Sequence, residues 1–219
     1  MTGRLKEICA NLPITECLAD VGCDHGYCTK YAFDNHLCAR AYISDISAGS
    51  LEKAKKLLAK EIDAGRCIPC LGDGLQKIGA CDCVLIAGLG GEEIVRILSE
   101  SALPARFVLQ PMRNSDKVRS FLIARGARLE RDYTFEDGGY YYDLIAGVGT
   151  GGDSYSDYEI LFGRENLKTL PDAFVKKMTE EREKIRARMG RKMSLASRAE
   201  LVRRLSVLEV VTDAIEEYL

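Results

Sequence analysis

Five short apolar runs, near residues 17–21, 41–45, 67–71, 82–87 and 106–110, are separated by stretches of helical periodicity, and this alternation constrains the chain more than any other feature. Apolar runs without polar alternation read as strands buried on both faces, and strand–helix repetition builds a parallel sheet between two helical layers. The clearest helix is Leu51 to Ala64, whose apolar side recurs at Leu51, Ala54, Leu58 and Ile62; Ser115 to Arg125 reads as another. Then the pattern changes. Ala127–Phe135 and Tyr140–Val148 are strand-like, and only Glu136-Asp137-Gly138-Gly139 separates them. So short a turn forces an antiparallel hairpin. The predicted fold class is α/β, a mostly parallel sheet closed by one antiparallel hairpin.

Gly149 to Ser154 reads as a hinge, which divides the chain into a first domain over 1–153 and a second over 154–219. The second is helical to its end, with Pro171 at a helix start. Ser197 and Glu200 form a capping-box pattern, and Leu201, Leu205, Leu208, Thr212, Ile215 and Leu219 then step by four and three. Phe174, Met178, Ile185 and Met189 give the preceding helix a matching stripe. The prediction is a coiled-coil hairpin that turns around Gly190 and closes within one chain or between two.

A hydrophobic content of 47% supports a real core, and the net charge of −2 excludes a global cationic field. No run approaches the length of a membrane helix and the opening residues lack a signal-peptide core, so a cytosolic protein with no membrane partner is predicted. All nine cysteines lie between Cys9 and Cys83, mostly inside apolar runs, as thiols of a reducing compartment do. Cys67 with Cys70 and Cys81 with Cys83 lack a following His at ligand spacing, so no metal is expected.

Leu18 to Tyr27 reads as a strand, a tight loop and a helix start, a place where backbone approaches a ligand closely. A dinucleotide fingerprint needs three glycines spaced G-x-G-x-x-G, but Asp24 and Tyr27 stand at the second and third positions. Asp20 and Asp24 would repel a pyrophosphate and suit a cation, such as the ammonium and sulfonium of S-adenosylmethionine. Asp45 ends the second strand, where ribose hydroxyls are bound in such folds, and Asp73 follows the third, placed to accept from an adenine amino group.

The fourth strand runs into Ala87-Gly88-Leu89-Gly90-Gly91, with no Asn-Pro-Pro-Tyr motif. That run, taken with Asp20-Val21-Gly22-Cys23-Asp24-His25, Leu109-Gln110-Pro111, Glu136-Asp137-Gly138, the Arg4-Leu5 opening, Arg119, Tyr142 and the helical tail, resembles the bacterial tRNA (adenine-22-N1)-methyltransferases over essentially the whole chain. In that family the loop more often has Ser and Ala where this chain has Cys23 and Gly26, and the fifth strand ends with Asn where this chain has Met112. The resemblance implies a Rossmann-like class I methyltransferase sheet with a C-terminal helical hairpin, the cofactor S-adenosylmethionine and a tRNA substrate. It implies a cofactor site of Arg4, Asp20, Gly22, Cys23, Asp24, His25, Gly26, Asp45, Ile46, Asp73, Gly74, Ala87 and Gly88, and a catalytic set of Asp24, Gly88, Gln110 and Tyr142.

Adenine N1 carries a free lone pair once unpaired, so positioning outweighs proton removal. Acceptors aimed at the ring would stabilise the cation that forms: the carbonyls around Ala87 and Gly88, with Gln110 or Asp24 behind. Gly88, Gly90 and Gly91 read as a ledge for a flat base with Leu89 as a wall, and His25, Tyr27 or Tyr142 as stacking surfaces for it. From Lys176 to Arg204 eleven Lys or Arg face four Glu, a local excess of +7. Lys176, Lys177, Arg182, Arg186, Arg188, Arg191 and Lys192 are the predicted RNA contacts. The residues alone leave open another methyl acceptor, and a noncatalytic module that binds S-adenosylmethionine and recruits a partner.

Overall fold

The structure, a computed structural model, describes residues 1–218. It divides into two compact units, Met1–Leu167 and Lys168–Leu219. The first unit runs α1 (Gly3–Ala10), β1 (Thr15–Val21), α2 (Tyr27–Asp34), β2 (Cys38–Asp45), α3 (Ala48–Leu57), α4 (Ala59–Asp63), β3 (Cys67–Leu71), β4 (Cys83–Leu89), α5 (Gly91–Ser99), β5 (Arg106–Pro111), α6 (Ser115–Ala124), β6 (Arg128–Asp137), β7 (Tyr140–Val148), α7 (Asp157–Phe162) and α8 (Arg164–Thr169). The seven strands form one sheet in the order β3-β2-β1-β4-β5-β7-β6. β1 to β5 are parallel, and β7 pairs antiparallel with both β5 and β6.

Alternate strand residues feed two cores. Leu18, Ile43, Leu85 and Val108 meet Ile8 of α1, Phe33 of α2 and Leu51 and Ala54 of α3, while Ala19, Val84, Ile86 and Leu109 meet Ile94 and Leu98 of α5 and Val118 and Leu122 of α6. The sheet is therefore covered on both faces, as the unbroken apolar runs require. The helix expected over 51–64 is divided at Leu58, whose φ of −104° and ψ of 17° end α3 and begin α4. α1 and α7 were not anticipated as separate helices. α7 begins with its own capping box, Ser156 and Glu159.

The boundary between units lies after Leu167, not at residue 153. β6 is an edge strand, and the intervening segment covers that edge. Asp132 N donates to Glu165 Oε2 at 3.0 Å and Thr134 N donates to Asn166 Oδ1 at 2.7 Å. Side-chain acceptors thus occupy amides that a neighbouring strand would otherwise bond. Beneath them Arg119 is wholly buried, and its Nε donates to Asp132 Oδ1 at 2.8 Å. Tyr155 Oη and Arg164 N donate to the other oxygen of Asp132, each at 3.2 Å. The pair binds α6, β6 and the α7–α8 segment into one body.

The second unit comprises α9 (Asp172–Met189) and α10 (Leu195–Tyr218). Phe174, Met178 and Ile185 are buried on α9, and Leu208, Val211, Thr212 and Ile215 on α10. Leu201 and Leu205 are only half-buried, and Leu219 of the expected seam lies outside the described residues. The expected cap at Ser197 is displaced, because Ser194 Oγ accepts from Ser197 N at 3.1 Å and α10 begins at Leu195. Among the described residues no helix is long and apolar enough to cross a membrane.

Removing one partner of a buried ion pair leaves the other charge without compensation in the interior, which costs about 3–5 kcal/mol. Asp132→Ala is therefore expected to lower the urea midpoint in proportion to that loss, whereas Lys117→Ala, on a fully exposed, solvent-screened pair with Glu92, is expected to leave it nearly unchanged. Equal effects in equilibrium unfolding would contradict this account.

Candidate active site

The strand order reverses at β1, with β2 on one side and β4 on the other, so a crevice opens above its carboxyl end. The loop that follows adopts left-handed backbone at Gly22, Asp24 and Gly26, with φ of 70°, 47° and 73°. Gly22 N and Cys23 N donate to Ser44 O at 2.8 and 3.0 Å, and Asp24 N donates to Asp45 Oδ2 at 3.1 Å. The loop is thereby folded onto the end of β2. A side chain at Gly26 would press on Leu58 and Ala54 of the α3–α4 segment. Gly26 is not among the residues that line the two chambers described below, and its missing side chain lets the loop pack on that segment.

A cleft of about 380 Å³ lies above β1, β2 and β4. Of the predicted cofactor residues, Arg4, Gly22, Asp24, Asp45, Ile46, Asp73, Gly74, Ala87 and Gly88 line it. Asp20, Cys23 and His25 line an adjoining chamber of about 90 Å³, shared with Arg4, Gly22, Asp24 and Ala87. Ser50, Leu89, Glu93 and Ile97 also line the main cleft. Sequence reasoning missed Ser50, Glu93 and Ile97, which lie on α3 and α5 and whose direction depends on how those helices dock.

Asp20 is 4% exposed. Thr29 Oγ1 donates to its Oδ2 at 2.7 Å, but burial outweighs that bond and raises the carboxyl to about 6. A buried carboxylate held above its ordinary range gains most from a cation. Asp45 is oriented by Ser47 N at 2.8 Å. Asp73 Oδ1 is bonded to Arg96 Nη2 at 2.5 Å, and Arg96 also reaches Glu93 and Glu100. Burial pushes the Cys23 thiol up, so it stays neutral.

Gly88 has a φ of 83° and stands at a register shift between β4 and β5, where Ala87 opposes Gln110 and Leu89 opposes Pro111. A bulge of this kind interrupts the regular ladder, and Gly88 there lines the cleft without a side chain. Gly90 and Gly91 have another role. Gly90 is the N-cap of α5, and a Cβ at Gly91 would overlap the carbonyl oxygens of Arg113 and Asn114. Of the three, Gly88 is the one that lines the cleft.

Gln110 is fully buried and lines neither chamber. Its Oε1 accepts from Arg4 Nη1 at 2.9 Å and its Nε2 donates to Pro111 O at 3.0 Å. Its side-chain carbonyl is thus engaged by Arg4, which lines both chambers. Arg4 Nη1 lies 3.6 Å from Met112 Sδ, and the guanidinium stands 5.6 Å from the Tyr142 ring centroid. Tyr142 also packs on Phe135. His25 stacks on Tyr27, rings 5.5 Å apart and 7° from parallel, at the smaller chamber.

In the second unit the predicted RNA contacts separate into two classes. Arg182 donates to Thr212 and Glu216, each at 2.9 Å, and Arg186 pairs with Glu209 and Glu183. These side chains join the two helices to each other. Lys176 and Lys177 are engaged by groups near them. Arg188, Arg191 and Lys192, with Arg198, are exposed around the turn. Among the described residues no group of His, Cys, Asp or Glu side chains is placed to hold a metal.

A family model described as a methyltransferase domain matches residues 1–145. The tRNA (adenine(22)-N(1))-methyltransferase of Bacillus subtilis is 30% identical over 192 residues, 83% of this chain and 81% of that protein. The crystal structure of the B. subtilis M1A22 tRNA methyltransferase TrmK superposes with a TM-score of 0.85 at 25% identity, covering 97% of this chain and 98% of that one. Streptococcus pneumoniae Sp1610, solved in complex with S-adenosyl-L-methionine, gives 0.87 at 25% identity and covers 97% and 99%. A methyltransferase domain over most of the chain and a curated relative 30% identical over 83% of it establish the family: the chain belongs to the tRNA (adenine(22)-N1)-methyltransferases.

Proposed function

We propose that this protein methylates N1 of adenine 22 in tRNA, in the cytoplasm, with S-adenosylmethionine as methyl donor. The observation that carries the reading is a cleft lined by two strand-end acids and a glycine bulge, with a buried acid in the adjoining chamber, in a chain of this family. The residues fit the cofactor. Asp20 and Asp24 suit its ammonium, Asp45 its ribose hydroxyls and Asp73 its adenine amine, while Gly22 and Gly88 leave space where side chains would stand. When bound, S-adenosylmethionine supplies an electrophilic methyl group on a positively charged sulfur.

The chain's own task is to hold and orient the acceptor. N1 of an unpaired adenine has its lone pair free, so no proton is removed before attack, and the positive charge that develops on the ring favours carbonyl and carboxylate acceptors. The backbone around Ala87 and Gly88, which lines the cleft at the register shift, offers such acceptors. The exposed cations of the α9–α10 turn supply a phosphate-binding surface that the net charge of −2 does not. The buried stripes of α9 and α10 support a hairpin closed within one chain, and hence a monomer.

Labelled S-adenosylmethionine incubated with unmodified tRNA is expected to yield 1-methyladenosine. Gly88→Val, which forces a branched side chain into left-handed backbone, should lower the rate about a hundredfold or more. Cofactor binding without transfer to tRNA would reject the acceptor.

A second expectation concerns Asp20. Its carboxyl titrates near 6 folded against 3.8 ordinarily, so between those values the folded state binds the proton more tightly and the stability of the unliganded protein falls as pH rises. Asp20→Asn should stabilise the unliganded protein at pH 7 by up to about 3 kcal/mol and weaken cofactor binding by at least about 2 kcal/mol. Wild-type affinity should fall as pH drops below about 6, where Asp20 loses its charge. Calorimetric titration across pH checks both, and an affinity indifferent to Asp20 would remove it from the site.

A further inference from the structure

The segment after β5 is an unusual loop in that its backbone is held on every side while two large side chains are left outside. Met112 N donates to Leu89 O at 2.8 Å and Gly91 N donates to Arg113 O at 2.8 Å. Asn114 is left-handed with a φ of 55°, and Ser115 Oγ donates to Asp143 Oδ2 at 2.5 Å. The absent Cβ of Gly91 lets α5 close onto the carbonyls of Arg113 and Asn114. So rigid a tether fixes where the side chains of residues 112 and 113 emerge.

Met112 is 50% exposed although large and apolar. Its sulfur lies 3.6 Å from both Arg4 Nη1 and Gln110 Nε2. Arg4 in turn reaches within 3.4 Å of the space a Gly88 side chain would fill. Met112 therefore stands at the mouth of the cleft on the acceptor side. Arg113 is exposed, and its Nε lies 3.4 Å from the corresponding space at Gly90. Glu92, the carboxylate that senses Arg113, is hydrogen-bonded to Lys117. The Arg113 cation thus faces outward beside an exposed thioether.

We propose that Met112 and Arg113 form a docking lip for the target nucleotide, the Met112 thioether lying against the face of the displaced base and the Arg113 guanidinium taking its phosphate. A polarizable thioether makes favourable contacts with aromatic rings, and an extruded base needs an apolar surface to replace its lost stacking. A guanidinium matches phosphate oxygens bidentately. The lip rests on the tRNA reading above and extends it to residues that hold the acceptor. It also gives a use to Met112, where the family resemblance leads one to expect Asn: the chain replaces a hydrogen-bonding contact with a packing one.

The test measures kcat and KM for tRNA across salt concentration, and cofactor affinity separately, for wild type, Arg113→Ala, Arg113→Lys, Met112→Ala and Met112→Leu. Arg113→Ala is expected to raise KM for tRNA about tenfold and to flatten the slope of log affinity against log salt by about 0.7–0.9, one phosphate contact. Arg113→Lys should restore the slope but only part of the affinity. Met112→Ala should lower kcat/KM for tRNA, with Met112→Leu close to wild type and cofactor affinity unchanged throughout. An unchanged salt slope in Arg113→Ala, or a Met112→Ala enzyme equal to wild type, overturns the lip while wild-type 1-methyladenosine formation keeps the tRNA reading intact. Absence of that product from wild type overturns both.

Discussion

The reversal of strand order at β1 is the constraint on which the site depends. Because β2 and β4 leave β1 in opposite directions, their following loops diverge, and the chain that leaves β1 must cross the gap as a tight turn. Three left-handed positions at alternate residues, Gly22, Asp24 and Gly26, make that turn. They also place Asp20 at the bottom of the crevice, where a carboxylate is poorly solvated. The same geometry that opens a binding site thus installs within it a buried carboxylate whose hydrogen bond from Thr29 does not offset its desolvation, and which a bound cation would stabilise.

Much of this was legible in the sequence, for identifiable reasons. Strands buried on both faces advertise themselves as uninterrupted apolar runs, and acids that close such runs fall at the carboxyl edge of a parallel sheet whatever the details of packing. Asp20, Asp45 and Asp73 were accessible for that reason. What could not be read depends on partners far away in the chain. Gln110 looked like a polar group at a strand end, and that Arg4, 106 residues earlier, holds its carbonyl could not be seen from its neighbours in sequence. Gly90 and Gly91 looked like part of the ledge with Gly88, yet the bulge at 88 and the approach of the post-β5 loop at 91 separate their roles. The hinge at Gly149–Ser154 was a true break in pattern, but the edge of β6 recruits the following residues into the first unit.

Charge serves two ends within the second unit. Arg182, Arg186 and Arg204 reach across to Thr212, Glu216, Glu209 and Glu181, helping join helices whose apolar stripes are narrow. Around the turn, Arg188, Arg191, Lys192 and Arg198 point to solvent. A count of basic residues could not separate these groups, because a cross-helix pair spans some 23 to 34 residues of sequence.

The mode of attachment of α1 has a consequence for the order in which the protein assembles. Arg4 N donates to Asp137 Oδ2 across 133 residues, and Asn11 and Glu7 both bond the Tyr133 hydroxyl. The helix itself is short, with Ile8 and Cys9 as its buried residues, and eight residues do not hold a stable helix alone in water. Its docking contacts do not exist until the β6–β7 hairpin has formed. The helix is therefore secured late in assembly, and since Arg4 lines the cleft, the site is complete only when contacts separated by 133 residues have closed.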